Sequence, residues 1–546
     1  MRDIDRLTIE RFGIASLVLM ENAASAVVRV IASALSGDVA GKTALVLCGR
    51  GNNGGDGAAV ARLLAHLGAS VSALLFGKIE DTKDDARTNF EALAGLAGAN
   101  QSGPGAIRFL ECGAGDSALA IAEEELARPL EVIVDGLVGT GLSRPLEGMY
   151  ANVVERVNKC RERAASSTLI VAIDIPSGLN SDTAELLGPA IHADVTVTMT
   201  APKLANVVAP ASNHNGRLIV ADIGSPAALL AETHADLFLT DENDAKRWLS
   251  ATRYTPDSYK NTHGHAVIVA GSRGFTGAAT LCANAAMRAG AGLVTIATAA
   301  AAQPLVAAAV MPEVMTTALA ETDRGAISDE AFNYFSKFSE RADVVAIGPG
   351  LSSEDERTRA FVRRVVAQRR TPVVIDADGL NCLSPWRDLR GSNEWPIVLT
   401  PHPGEMMRLM GTTDKSALND RVIAARDFST RHQVILLLKG GRSLVAAPDG
   451  RVFLNSTGNA GLGTAGAGDT LTGVITGFMA QAQGYRTADA SGRVQVLDTV
   501  LAALYVGGLA GDLAARELGM RAMIASDIRE HLSAAICSLD PRGEYP

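Results

Sequence analysis

The chain has little of what announces a specialised class. Its six cysteines (Cys48, Cys112, Cys160, Cys282, Cys382 and Cys537) are scattered and never form Cys-x-x-Cys, which argues against a disulfide framework or a zinc site and for reduced thiols. Aromatic residues make up only 4%, too few for a base-stacking surface. The net charge is −10 and no block of Lys or Arg occurs, so neither nucleic acid nor an anionic membrane is an expected partner. No uninterrupted apolar run reaches the eighteen residues of a membrane span. The opening Met1–Arg6 carries acids where a secretory leader is basic and then apolar. A soluble, cytoplasmic protein is therefore expected. Two nucleotide fingerprints are missing as well. The glycine-rich stretch 49–57 continues neither into Gly-Lys-Ser/Thr nor as Gly-x-Gly-x-x-Gly with an acid about twenty residues on.

What is present is globular: 47% hydrophobic and 20% charged residues. A length of 546 residues is too great for one core and predicts two or three domains. Abundant Ala and Gly suit helices packed closely on parallel sheets and permit close subunit packing, so a homo-oligomer is expected.

In the first half, the pattern predicts a helix over 14–35, a buried strand over 42–48, and a helix over 58–68 after the turn Gly49–Gly57. Strand, glycine-rich turn and helix together place ligands at the carboxyl edge of an open α/β sheet. Asn52, Asn53 and Asp56 offer that edge hard oxygen donors, suited to a cation or to ribose and phosphate. Two further strands end in acids, Leu130–Asp135 before Gly136–Pro145, and Thr168–Asp174 before Ile175–Gly178. Strands follow at 193–199 and 216–222. A single strand-end Asp is most simply a cap or turn residue, but three polar strand ends on one rim are better explained as a site.

The second half repeats the alternation, with strands at 265–270, 293–297, 344–347, 373–375, 397–399 and 434–438, which indicates a parallel sheet covered on both faces. Marked turns follow several of them: Gly348–Gly350, Asp376–Gly379, Thr400–Glu405 and Lys439–Ser443. The glycine-rich Asn455–Asp469 joins the same rim and leads into an apolar helical segment. Gly466–Asp469 reads as a phosphate cradle with a carboxylate at its mouth, since backbone amides and a helix dipole both favour an anion there. The competing reading is a helix N-cap. Lys439–Ser443 offers amides and cations for a nucleotide or is a plain turn; His402, stiffened between prolines, is a ligand or a turn histidine; Asp376 and Asp378 organise Mg²⁺ through water or cap a helix.

Together these motifs resemble two known families. Leu19–Ala23, Asn52–Gly57, Asp135 with Gly139-Thr-Gly141, Asp174–Gly178 and Asp222–Gly224 look like the NAD(P)H-hydrate epimerase domain across about 1–224. The resemblance implies a Rossmann-like, three-layer αβα fold and a potassium ion at Asn53, Asp135 and Ser177. It places substrate along Asn52, Asn53, Gly54, Gly55 and Asp56 and along Gly139, Thr140, Gly141, Leu142, Ser143, Arg144 and Pro145. Asp174 is then the acid or base for inversion at the hydrated ring carbon. Residues 225–249 are expected as a linker. Across about 250–546, motifs including Thr276–Ala279, Arg288–Leu293, Gly348–Leu351, Asp376–Asn381, Thr400–Glu405 and Gly466–Asp469 resemble the ADP- or ATP-dependent NAD(P)H-hydrate dehydratase, which is similar to ribokinase in fold. This second resemblance implies substrate contacts at Ala278, Gly350, His402 and Asp469, AMP-type contacts at Lys439, Gly440, Gly441, Arg442, Ser443 and Gly468, and Mg²⁺ with ADP or ATP as co-substrate. The sequence departs from these patterns at Asp182–Glu185, at Ala465, where Gly is common, and at Gly507, where His is frequent. The implied function is repair of NADHX and NADPHX: epimerisation of the R and S hydrates, with Asp174, and nucleotide-dependent dehydration of the S form, with Asp469. The alternative is a ribokinase-like sugar or vitamin kinase fused to a non-catalytic binding domain.

Overall fold

The computed structural model describes residues 2–99, 103–113, 115–163, 168–233, 235–488 and 495–540. The chain divides into two compact units, residues 1–234 and 235–546.

The first unit is built on seven parallel strands: β1 Thr43–Cys48, β2 Ser70–Phe76, β3 Ile107–Cys112, β4 Val132–Gly136, β5 Leu169–Ile173, β6 Val195–Met199 and β7 Arg217–Ala221, in the order β3-β2-β1-β4-β5-β6-β7. Both faces are buried, because alternate residues of one strand enter different cores. Ala44, Val46 and Cys48 join one apolar cluster, and Leu45 and Leu47 the other. The strand order reverses between β1 and β4, and such a switch point opens a crevice at the carboxyl ends of the strands.

The turn expected at Gly49–Gly57 is shorter than predicted, because the helix after β1 already begins at Asn52 and runs to His66. Its glycines allow close packing. A Cβ at Gly54 would collide with the Gly49 carbonyl; at Gly55 it would lie 2.7 Å from Ala86 Cα, and at Gly57 2.9 Å from Cys48 Sγ. The helix thereby sits with its N-terminal turn against the strand ends.

The second unit has ten strands: β8 Leu237–Leu239, β9 His265–Val269, β10 Leu293–Ala299, β11 Met315–Leu319, β12 Val344–Ile347, β13 Val373–Ile375, β14 Ile397–Leu399, β15 Ile435–Leu438, β16 Leu444–Ala446 and β17 Val452–Leu454. Their order is β11-β10-β9-β12-β13-β14-β15-β16-β17-β8. The sheet is parallel from β11 to β15, as the alternation predicts, but β16 runs antiparallel to both of its neighbours.

Residues 225–249 do not form a linker. Helix Ala227–Glu232 stays with the first unit, where Arg11 pairs with Glu232 at 2.6 Å. β8 pairs in parallel with β17 as the outer strand of the second sheet. On the next helix, Glu242–Ala251, Trp248 stacks on Phe478 with ring centroids 4.1 Å apart and donates to Thr499 Oγ1 at 3.0 Å.

The abundance of small residues has its use where helix Thr276–Arg288 crosses helix Ala467–Ala488. A Cβ at Gly477 would stand 2.6 Å from the Ala286 carbonyl oxygen. Helices Ser16–Ala34 and Val496–Leu518 are long and apolar enough to cross a membrane by length and composition. Each buries an apolar face in the core of its own unit.

Candidate active sites

In the first unit, the ends of β1, β4 and β5 surround a cavity of about 650 Å³. Of the residues expected to meet substrate, Asn52, Asn53, Asp56, Gly139, Thr140, Gly141 and Asp174 line it. Gly54 and Gly55 are instead buried against backbone, and Leu142, Ser143, Arg144 and Pro145 continue the loop beyond the lining.

Asp174 is held in left-handed backbone, φ +63°, just past β5, a conformation an ordinary residue adopts only under constraint. Its Oδ1 accepts from Thr198 Oγ1 at 3.0 Å and from the Met199 amide at 3.1 Å, and it pairs with the Lys203 ammonium. Lys203 Nζ also donates to Thr198 Oγ1 and to the Met199 carbonyl, both at 3.0 Å. The lysine is buried, so its three donors are all satisfied by this one cluster. Sequence reasoning missed Lys203. No motif singles out a lysine after Pro202, and only the folding of β6 beside β5 brings it to Asp174. Asp5, Arg50 and Tyr150 also line the cavity without having been expected there. Burial, and then the nearby Asp174 and Asp5, raise Asp56 well above the usual carboxylate range.

Beside the cavity lies the set expected to hold potassium. Asp135, fully buried at the end of β4, accepts at Oδ1 from Ser177 Oγ (2.6 Å) and the Leu137 amide (3.2 Å), and at Oδ2 from the Ser177 amide (2.8 Å). Burial pushes its carboxyl up to about 6 against these hydrogen bonds, and it has no cationic side-chain partner among the described residues. The Asn53 carboxamide is close by, since a Cβ on Gly139 would lie 3.2 Å from Asn53 Oδ1. Asn53 Nδ2 is buried with no hydrogen-bond partner among the described residues. A half-turn of that amide exchanges nitrogen for oxygen. A buried unpaired carboxylate, an orphaned carboxamide and a hydroxyl are hard oxygen donors that suit an alkali cation.

In the second unit, Asp469 stands in the first turn of helix Ala467–Ala488. Burial and then Asp376 push it up to about 6, with Lys439 opposing. Lys439, just past β15, is bound to Asp376 Oδ1 at 2.8 Å, and Thr472 Oγ1 donates to Asp376 Oδ2 at 2.7 Å. Burial alone would lower Lys439, but Asp376 and Glu405 outweigh it and the ammonium is raised. Gly468 permits this approach, because a Cβ there would be 3.3 Å from Lys439 Nζ.

A cavity of about 660 Å³ adjoins this cluster. All six residues expected to meet nucleotide, Lys439 to Ser443 and Gly468, line it, opposite an apolar wall of Leu471, Val474, Leu504 and Ile528. Gly507 lies in this wall, with Leu471 Cδ1 3.5 Å from where a Cβ would be. Arg421 was not foreseen. Its guanidinium fastens the loop by donating to the carbonyls of Gly441 (3.1 Å), Lys439 (3.2 Å) and Leu438 (3.4 Å).

The residues expected to meet the second substrate lie outside this lining. Gly350 packs on Ala278, with a Cβ on Gly350 placed 3.1 Å from Ala278 Cβ. His402 is the N-cap of helix Pro403–Met410. Its Nδ1 accepts from the Gly404 amide at 3.0 Å, and the His402 amide donates to Glu405 Oε2 at 2.8 Å. The other ring nitrogen, Nε2, lies 3.5 Å from Glu405 Oε1. Asp376 is occupied by Lys439 and Thr472, and Asp378 accepts from the Ser352 amide at 2.9 Å and from Asn381. Among the described residues, no group of three His, Cys, Asp or Glu is placed to hold a metal ion. A nucleotide's Mg²⁺ does not require one, since phosphate oxygens and water supply most of its ligands.

Comparison with known proteins bears on both halves. The family model described as NAD(P)H-hydrate dehydratase matches residues 266–534, and that described as YjeF-related protein N-terminus matches residues 16–205. The bifunctional NAD(P)H-hydrate repair enzyme Nnr of Moorella thermoacetica is 40% identical over 544 residues, covering 100% of this chain and 97% of that protein. The Escherichia coli protein of the same description is 32% identical over 486 residues, 89% of this chain and 83% of that one. The crystal structure of the ADP/ATP-dependent NAD(P)H-hydrate dehydratase from Bacillus subtilis, co-crystallized with ATP/Mg²⁺, is 28% identical, with a TM-score of 0.47 over 55% of this chain and 98% of that one. The chain belongs to the family of bifunctional NAD(P)H-hydrate repair enzymes, which join an NAD(P)H-hydrate epimerase to an NAD(P)H-hydrate dehydratase.

Proposed function

We propose that the two activities divide between the two units. The first interconverts the R and S epimers of NADHX and NADPHX, and the second returns the S epimer to NADH or NADPH with ADP or ATP as phosphoryl donor. The observation that carries this reading is the placement of Asp469 at a helix N-terminus, next to a cavity lined by Lys439–Ser443 and Gly468.

Asp469 takes the proton from the hydrate's hydroxyl, whose oxygen attacks the terminal phosphoryl of the nucleotide. Phosphate then leaves with the ring oxygen, and loss of a ring proton restores the dihydropyridine. The amides at Gly466–Gly468 and the Lys439 ammonium face the charge that develops on the transferred group. Ala278, Gly350 and His402 form the hydrate's side of the site. Mg²⁺ accompanying the nucleotide supplies further charge neutralisation.

In the first unit, Asp174 is the acid or base for inversion, and substrate lies along Asn52–Asp56 and Gly139–Gly141. Asn53, Asp135 and Ser177 would hold potassium, which supplies the counter-charge to Asp135 and ties the helix after β1 to Asp135 and Ser177. Dispersed reduced cysteines and Ala/Gly-rich helices support a cytoplasmic homo-oligomer as the working form.

The test is Asp469→Asn. It should abolish nucleotide-dependent return of reduced-nicotinamide absorbance from the S hydrate while R-to-S conversion continues. Retained repair would remove Asp469 from its role, and a stable phosphorylated product without cofactor release would favour a small-molecule kinase.

A further inference from the structure

Inversion at the hydrated carbon must act on both faces of the ring. The hydroxyl departs from one face with an added proton, and the ring-nitrogen lone pair fills the vacated position as a C=N⁺ bond. Water then adds from the other face, gives up a proton, and the electron pair returns to nitrogen. One proton is supplied and one is removed, at sites on opposite sides of a planar intermediate. A single carboxyl fixed in its rotamer cannot reach both.

The cavity offers two carboxyls on different elements. Asp174 stands at the end of β5, and Asp56 in the first turns of the helix after β1, with β4 and its loop between them in the sheet. Their surroundings are opposite. Asp174 has a buried lysine ammonium, a hydroxyl and an amide directed at Oδ1. Asp56 has no side-chain hydrogen-bond partner among the described residues. The charged and titratable groups that share the cavity with it are Asp5, Asp85, Arg50, Tyr150, Asp174 and Lys203; helix Ser16–Ala34, the loop 137–141 and Ile223 face it with none. Asp85 is bound by Ser16 Oγ, and Arg50 interacts with Tyr150. Asp5 and Asp174 are thus the acids felt by Asp56, and Lys203 is the cation, already committed to Asp174.

We propose that Asp56 is a second catalytic residue of the epimerase, acting as the proton donor opposite Asp174, and that Lys203 is a positioning residue that fixes Asp174 as the carboxylate base. This rests on the epimerase reading of the first unit. Burial and neighbouring acids raise Asp56 well above the ordinary range, so it carries the proton to be given. Two carboxyls of one cavity, one held by an ammonium, a hydroxyl and an amide and the other without such partners among the described residues, are the arrangement general acid–base chemistry needs. After R-to-S inversion the proton has moved from Asp56 to Asp174, and exchange with cavity water resets the pair.

The test follows R-to-S conversion chromatographically in the full-length protein without nucleotide, with S-hydrate repair measured separately. Asp56→Asn keeps the size of the side chain but donates no proton, and it should lower kcat on the order of 100-fold with KM little changed. Lys203→Met should likewise lower kcat, with partial recovery in Lys203→Arg. In the unaltered protein, R-to-S conversion should fall on the alkaline side as Asp56 loses its proton, and Asp56→Asn should lack that limb. An unchanged kcat in Asp56→Asn, an effect confined to KM, or an alkaline limb that survives the substitution would overturn the proposal while leaving the epimerase assignment standing. Failure of the unaltered protein to convert the R hydrate would overturn both.

Discussion

At the scale of single residues, the second site is decided by competition among buried charges. Asp469, Asp376 and Glu405 are three acids around one ammonium, Lys439. Asp376 takes the direct ion pair, which leaves Asp469 to be raised to about 6. The sign follows from its role. A base works ionised, so repair of the S hydrate at saturating nucleotide should be lost below about pH 6 and level off above it. A rate that stays flat from about pH 5 to 8 would exclude Asp469 as the base. The Asp376–Lys439 pair makes a separate prediction. Asp376→Ala strands a largely buried ammonium and Thr472, and removing one partner of a buried pair typically costs about 3–5 kcal/mol. Lys439 keeps some solvent contact, so the lower end of that range is expected, read from denaturant unfolding of the second unit. No change in its midpoint would mean that water replaces the carboxylate.

At the scale of elements, both sites are made where strands stop. Asn53 stands in the first turn of the helix after β1, while Asp135 and Ser177 close β4 and β5 and already hydrogen-bond to one another, so a cation among the three would tie the helix after β1 to that pair. Potassium should therefore raise the thermal midpoint of the first unit in calorimetry of the whole chain. The expected gain is about 2.7 kcal/mol at a hundredfold excess over Kd, and Asp135→Asn should remove the response. An equal shift in that variant would place the ion elsewhere. Strand ends also explain what could be read in the sequence. β1, β4, β5 and most strands from β9 to β15 are apolar runs closed by polar, glycine-rich turns, and both the fold class and the rim could be read from them. β8, β16 and β17 have three residues each, and unlike the equally short β13 and β14 they stand outside the strand–helix alternation that marked the others, so the antiparallel closure and the tenth strand were hidden. β3 and β11 lie at sheet edges and mix exposed with buried positions. The helical start at Asn52 was obscured because its glycines look like a turn; close contacts with Gly49, Ala86 and Cys48 make them necessary. Lys203 and Arg421 carry no local signature, because their partners are distant in sequence. Asp376 was legible as a strand-end acid, but only tertiary packing shows that its partner is a lysine.

At the scale of the whole molecule, two sheets with separate cores carry two cavities of similar size, about 650 and 660 Å³, each at the carboxyl edge of its own sheet. Among the described residues, those lining the first cavity belong to the first unit and those lining the second to the second unit. Two chains, each disabled in a different site, should therefore complement one another. With both hydrate epimers, nucleotide, potassium and Mg²⁺ present, Asp174→Asn alone should recover the S hydrate and stop with the R hydrate unused, because epimerisation is lost and dehydration is not. Asp469→Asn alone should recover no reduced cofactor and should continue to interconvert the epimers. Mixed, the two should carry recovery to completion, since the Asp469→Asn chain delivers S hydrate that the Asp174→Asn chain consumes. The measurement is the final reduced-nicotinamide absorbance of the mixture against that of the unaltered protein. If recovery stalls at the level of Asp174→Asn alone, the R hydrate is not being converted by the Asp469→Asn chain, and the two sites act on substrate only within one molecule.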